Sequence, residues 1–196
     1  MAAVSDKDAR QVFFEAALEV VAEKGYAATR MDDIVRRAGR SKGGLYHHFR
    51  SKRDLFMQLF DSLLDDMREE LARGLRPEAS PVETMRHTFQ MFTGMLENGR
   101  LGRALVEFFV VSLGDQEVRV QLAARYAEIV ELQRALIVVG MERGELRADL
   151  DAERVAWAFS AAGDGLVFVL LSIGQEARVG QALTDYFELI LRSISA

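Results

Sequence analysis

The amino-acid sequence predicts an all-α chain, and three observations predict it. Prolines occur only at Pro77 and Pro81, so few residues would end a helix. Apolar residues recur at helical spacing, as in Leu55, Leu59, Leu63 and Met67, which marks one buried stripe. Helix start signals, in which Ser, Thr or Asp precedes an acid, punctuate the chain at regular intervals, and glycines stand where helices would stop.

Taken in order, Ser5 and Asp8 are placed to cap a first helix that ends at Gly25. Its apolar positions Phe13, Ala17, Val20 and Val21 should pack on Ile34, Leu45 and Phe49. Thr29, with Asp32 three residues on, is expected to cap a second helix. Ala38-Gly39-Arg40 then turns the chain, and Ser41 caps a short third helix. Ser51 and Asp54 cap a fourth, running from Lys52 to about Arg73. Gly74 to Ser80 reads as a linker, and Ser80-Pro81-Val82-Glu83 opens a fifth helix that Asn98-Gly99 breaks. A sixth spans roughly Leu101 to Leu113, and a long seventh ends near Gly144. Asp151 caps an eighth to about Ile173, and a ninth runs from about Ala177 to Ile194. The expected organisation is a three-helix head, residues 1–50, on a six-helix body, residues 51–196.

Composition narrows the function classes. The chain has 196 residues, 49% of them apolar and 28% charged, ordinary for a globular protein. With no cysteine there is no disulfide, thiol nucleophile or cysteine metal site. The first twenty residues carry Asp6, Lys7, Asp8, Arg10, Glu15 and Glu19, so no secretory signal is expected. The longest uncharged run, Gly165 to Gln175, is too short to span a bilayer. The expectation is a cytoplasmic protein with no membrane partner. There is no G-x-S-x-G, no H-E-x-x-H and no phosphate-cradling glycine loop. His47 and His48 are adjacent and point apart, a poor metal pair. No catalytic residue, metal or cofactor is expected, and the chain is not read as an enzyme.

Charge points to a partner. The chain carries a formal net charge of −5, yet residues 30–53 hold eight Lys/Arg and two acids. On the short third helix Leu45 and Phe49 are four apart and share a buried face. Lys42, Gly43, Tyr46 and His47 lie on the remaining arc. A lysine, a glycine, a tyrosine and a histidine facing out suit a helix laid in the DNA major groove. Lys42, Gly43 and His47 are the base-edge candidates. Thr29, Arg40, Tyr46, His48 and Lys52 are the phosphate candidates, with Ser41 at the helix start.

The stretch from Glu23-Lys24-Gly25-Tyr26 through Ser41-Lys42-Gly43-Gly44-Leu45-Tyr46-His47-His48-Phe49-Arg50-Ser51-Lys52 resembles the N-terminal domain of the tetracycline-repressor (TetR) family. The match covers roughly residues 11–55. One departure is Arg40, where the family often has a small apolar residue. The resemblance implies a homodimeric regulator of transcription, most often a repressor that binds a double-stranded DNA operator and is released by a small-molecule inducer.

The body carries matching features. Met67, Phe89, Phe92, Met95 and Phe108 supply apolar lining, and Tyr126 and Gln133 interrupt an apolar stripe with polar tips. Spacing alone favours packed core over a cavity. The resemblance implies the cavity, with a mainly apolar inducer. Asp164 is the only charge from Val155 to Ile173, and a lone buried carboxylate needs a partner. That partner could be a cationic ligand, an arginine of this chain or the subunit interface. Phe168, Leu183, Phe187 and Ile190 are the expected dimer contacts, on the last two helices. The alternatives are a ligand-independent DNA-binding dimer under a protein partner, and an enzyme on the same fold.

Overall fold

The structure, a computed structural model, describes residues 6–96 and 99–196. Among them nine α-helices succeed one another. They are α1 (Asp6–Ala28), α2 (Met31–Ala38), α3 (Lys42–His48), α4 (Lys52–Gly74), α5 (Pro81–Leu96), α6 (Arg100–Gly114), α7 (Gln116–Glu142), α8 (Ala152–Ser172) and α9 (Val179–Ile194). A 3-10 turn, Glu176–Arg178, leads into α9. The expected cap at Ser5 and the break at Asn98 lie outside the described residues.

Most helix starts are held as the sequence predicts. The Ser41 hydroxyl accepts the Gly44 amide at 3.0 Å. Ser51 accepts the Asp54 amide at 3.1 Å while Asp54 accepts that of Arg50 at 2.7 Å, a reciprocal cap. Ser80 and Asp151 accept the amides of Glu83 and Arg154. Gly39 closes α2 at φ 61°, a left-handed conformation that costs glycine little.

The start of α2 differs. Thr29 is 2% exposed and its hydroxyl donates to the Gly25 carbonyl at 2.7 Å. Arg30 takes the cap position, and its amide donates to Asp33, not Asp32, at 2.9 Å. The reason lies in α1, which kinks at Gly25 (φ 81°, ψ 159°) and resumes to Ala28. That kink turns Thr29 inward.

The chain divides into two compact units that depart from the expected boundary. One holds residues up to Ser62 together with Arg100–Arg119; the other holds Leu63–Gly99 with Val120–Ala196. In the first, α6 packs along α1, burying Leu101, Ala104 and Phe108. The Phe13 and Phe14 rings meet Phe49 at 6.1 and 5.5 Å. Val20, Val21, Ile34 and Leu45 close the same core, as their spacing predicts.

In the second unit α9 packs on α5 and α8. Phe89 stacks on Phe187 at 4.5 Å, and Phe159 lies 5.8 and 5.9 Å from those two rings. Leu183 is 0% exposed and Phe187 3%. Both are therefore core residues of this chain and not free to face a second copy. The apolar stripe of α9 is used up internally; Ile190 stays half-buried and Leu189 is exposed. The outward apolar face belongs to α8, where Trp157, Phe168 and Val169 are about half exposed.

The same helix is more apolar over its length than its uncharged runs suggest. α8 is 21 residues long with mean hydropathy 1.7 over its most apolar window, long and apolar enough by composition to cross a membrane. Counting uncharged runs missed it because Asp164 interrupts the run without interrupting the helix.

Candidate functional site

The outward face of α3 forms as its sequence predicts. Leu45 and Phe49 are fully buried, while Lys42, Gly43, Tyr46 and His47 are exposed. Helix caps fix this orientation, since Ser41 seats the first turn and Phe49 turns the last inward. A Cβ added at Gly43 would meet nothing within 4 Å, so the backbone there is open to close approach. Arg40 and Ser41 are exposed at the start of the same face. Exposed Arg30 and Arg50 flank it and were not picked out as contact candidates, because their spacing carries no periodic signal.

The apparent excess of positive charge is largely compensated by the fold. Lys42 pairs with Asp32 of α2 at 2.8 Å, which raises the lysine's pKa, and its ammonium lies 6.0 Å from the Tyr46 ring. Arg37 bridges to Glu23 and Glu19 of α1, and these carboxylates hold its pKa up. Asp33 accepts from Lys24 and Arg36, and the Lys24 bond, then the Arg30 amide, lowers its pKa. Arg53 pairs with Asp115 at 2.9 Å and with Glu117. Counting residues 30–53 includes Asp32 and Asp33 but misses Glu19, Glu23, Asp115 and Glu117, which come from elsewhere in the chain.

Two phosphate candidates, Thr29 and Lys52, are committed elsewhere, and a third, His48, is partly covered. Thr29 is buried, and its hydroxyl is committed to Gly25. The Lys52 ammonium donates to the carbonyls of Tyr26 at 2.6 Å, Thr29 at 2.9 Å and Ala27 at 3.4 Å. It also lies 4.3 Å from the Tyr26 ring centroid, a cation–π distance. Burial, with Lys24 second, pulls its pKa down. Lys52 thus caps the end of α1. His48 is half-buried, its ring 6.1 Å from that of Phe13.

In the second unit α7 and α8 face each other through two polar pairs. The Tyr126 hydroxyl donates to Asp164 at 2.8 Å, and Ser160 donates to Gln133 at 2.6 Å. The Tyr126 ring lies 5.6 Å from that of Trp157. Burial raises the Asp164 carboxyl above its ordinary value, and the Tyr126 hydroxyl only partly offsets this. Burial, then the Asp164 charge, pushes Tyr186 up to about 12. The partner of Asp164 is therefore a neutral phenol and not an arginine.

Of the other expected lining residues, Met67, Phe92 and Met95 are half-buried, and Phe89 is packed in the aromatic core. Phe108 belongs with the first unit. It is 2% exposed and its ring lies 5.8 Å from Tyr26 and 6.1 Å from Phe56. The helical period marked it as apolar but could not say which core α6 serves. Among the described residues no group of His, Asp and Glu could hold a metal ion.

Two measurements follow from these assignments. Lys42→Ala should relax base preference at one position of the duplex, whereas the salt slope of duplex binding falls by about one unit only when a phosphate contact is lost. Lys52→Ala should leave that slope unchanged and cost on the order of 1 kcal/mol in denaturant unfolding. A reduced slope for Lys52→Ala would return that residue to the DNA face. Asp164→Asn tests the buried carboxyl. Its raised pKa means the folded chain binds the proton more readily than the unfolded chain, so native stability falls as pH rises from the ordinary carboxylate range through the raised value. The variant should be more stable than the parent at pH 7, with the difference vanishing at acid pH. An equal difference at every pH would show that the carboxyl ionises without penalty.

Comparison with known proteins agrees with this geometry. Residues 13–59 match the family model described as bacterial regulatory proteins, tetR family, and residues 90–179 match that of the tetracyclin repressor-like C-terminal domain. The HTH-type transcriptional regulator BetI of Rhizobium meliloti (strain 1021) is 31% identical over 188 residues, 94% of this chain and 90% of that protein. The HTH-type transcriptional repressor DhaR of Mycobacterium sp. (strain GP1) is 27% identical over 186 residues, covering 94% and 93%. The transcriptional regulator FadR from Bacillus subtilis, solved in complex with stearoyl-CoA, shares the fold with a TM-score of 0.77 at 20% identity, over 92% of this chain and 97% of that one. The chain belongs to the TetR family of bacterial transcriptional regulators.

Proposed function

We propose that the protein is a dimeric repressor that leaves its operator when a small, mainly apolar ligand binds the helical body. The outward face of α3 carries the DNA half of this reading. Lys42, Gly43 and His47 are the proposed base-edge contacts. Arg40, Ser41 and Tyr46 are the proposed phosphate contacts, joined by Arg30 and Arg50 at the rim and by the exposed edge of His48. Tyr126, Gln133 and Asp164, set among apolar residues of α7 and α8, are the polar groups proposed to orient the ligand, with Met67, Phe92 and Met95 as its apolar contacts. FadR, which binds stearoyl-CoA, supports an apolar chain as the ligand class. α4 is one continuous helix from Lys52 to Gly74 and enters both compact units, so it is the proposed lever between ligand and head. A coupling of about 1–3 kcal/mol is typical of such systems.

The protein would first select a duplex from a random-sequence pool. Its affinity for that duplex would then be followed by anisotropy as stearoyl-CoA or an uncharged apolar compound is added. Trp157 is the single tryptophan and touches Tyr126, so its fluorescence reports binding independently. The expected result is a change in Trp157 emission together with release. Ligand binding that leaves duplex affinity unchanged would sink the ligand-released repressor.

The outward apolar face of α8 is the proposed dimer surface, since exposed apolar patches of this kind mark interfaces. Phe168→Asp should give folded monomers by light scattering with native helical circular dichroism. Leu183→Asp should instead unfold the body, because it places a charge in a fully buried site. A Phe168→Asp protein that remains dimeric would move the interface elsewhere.

A further inference from the structure

The joint between α1 and α2 is built from groups that no local sequence rule supplies. At Gly25 the backbone takes φ 81° and ψ 159°, a region open to glycine and costly to other residues. The kink interrupts the helical ladder, so the amide and carbonyl groups of residues 25–29 need other partners. Thr29 supplies two of those partners, its hydroxyl to the Gly25 carbonyl and its amide to that of Tyr26, and others come from two distant helices. The Tyr26 amide donates to the Glu107 carboxylate of α6. The Tyr26 carbonyl accepts from Lys52 of α4 at 2.6 Å. One peptide residue is thus gripped on its donor by α6 and on its acceptor by α4.

Side chains repeat the arrangement. The Tyr26 ring lies edge-on to Phe56 of α4 at 4.9 Å and to Phe108 of α6 at 5.8 Å. The Glu107 carboxylate comes so near Gly25 that a Cβ there would sit 3.1 Å from its Oε2. Arg103, one turn earlier on α6, donates to the same carboxylate at 3.3 Å. At the far end of α6, Arg53 of α4 pairs with Asp115 at 2.9 Å and with Glu117. All of these residues lie within the first compact unit.

We propose that Glu107 is a positioning residue for DNA binding: by holding the Tyr26 amide at the Gly25 kink it fixes the α2–α3 pair against α6, so that α6 shares with α4 the setting of the recognition helix. Among the described residues Glu107 bonds the Tyr26 amide and Arg103, neither of them on the outward face of α3. Its effect runs through one backbone amide into the joint from which α2 starts. A carboxylate is suited to this because a charged acceptor strengthens the bond to an amide. The glycine is suited because it alone lets that carboxylate approach without strain. A head held by α4 alone could still rotate about the Lys52 contacts. The second grip, on the peptide group before Tyr26 where the first is on the one after it, removes that freedom.

The proposal rests on the DNA-binding reading above, and its test separates the two. Hydrogen exchange is followed at the Tyr26 amide in the parent, Glu107→Ala, Glu107→Asp and Glu107→Gln. Duplex affinity is then measured for the selected two-half-site duplex and for the same duplex with one half scrambled. Glu107→Ala should speed Tyr26 exchange about tenfold or more, as loss of a charge-assisted bond predicts. It should weaken the two-half-site duplex about tenfold, a typical coupling, and leave the single half-site nearly unchanged. Glu107→Gln retains an acceptor oxygen and should restore both readouts. Glu107→Asp, one methylene short, should behave as the alanine variant does and serves if alanine does not fold. Unchanged exchange in both variants would show that Glu107 does not hold the amide. Faster exchange with unaltered two-half-site affinity would make the contact structural only, and failure of glutamine to rescue would do the same. Selection of no duplex at all would defeat the DNA-binding reading, while the exchange arm would still decide whether Glu107 holds the joint.

Discussion

Backbone polar groups freed by a kinked helix cannot be left unpaired beside a core, and the DNA-binding unit is arranged around this demand at Gly25. Thr29 turns inward to reach the Gly25 carbonyl. Lys52 reaches three carbonyls from α4, and Glu107 reaches the Tyr26 amide from α6. Each of these side chains would be read as a solvated polar residue by its neighbours in sequence. The demand also explains why α6 belongs with the head. It supplies both the carboxylate and Phe108, whose ring lies 5.8 Å from Tyr26 beside the same kink.

Local chemistry made much of the fold legible. Caps act over three or four residues, so Ser41, Ser51, Ser80 and Asp151 could be identified from their neighbours, and each holds the amide expected of it. The buried pair Leu45 and Phe49 and the exposed arc of α3 followed from helical period alone. What could not be read was which face meets which helix. Leu183 and Phe187 have the spacing of an apolar stripe, but an interface stripe and a core stripe look alike. Only packing on α5 and α8 tells them apart. Phe108 failed for the same reason. Thr29 and Lys52 failed because their partners lie on backbone exposed by a kink, and a glycine in sequence marks a possible break without its geometry.

Asp164 shows how a single residue links the two levels. Its carboxyl is desolvated among apolar residues of α8 and is met by one neutral hydroxyl. A neutral donor offsets less of the desolvation than an arginine would. Packing alone would be served better by an uncharged residue at that place. The carboxylate therefore represents a standing cost to the body. Together with Tyr126 and the nearby Ser160–Gln133 pair it forms a polar seam between α7 and α8, in a helix with no other charge from Val155 to Ser172.

On the face proposed to meet DNA the corresponding balance is one of charge. Lys42 is paired with Asp32 at 2.8 Å, but both side chains remain mostly in water. Exposed pairs of this kind contribute about 0–1 kcal/mol, so the contact orders the lysine without committing it. A phosphate or a base edge that reaches α3 can displace the carboxylate at small cost. The acid then stays beside the bound lysine, where it opposes any loosely placed anion and tolerates only a contact good enough to compensate. Because Asp32 stands on α2 and Lys42 on α3, their separation depends on the α2–α3 turn at Gly39. The same turn that places the recognition helix therefore also sets how readily its first basic residue is released.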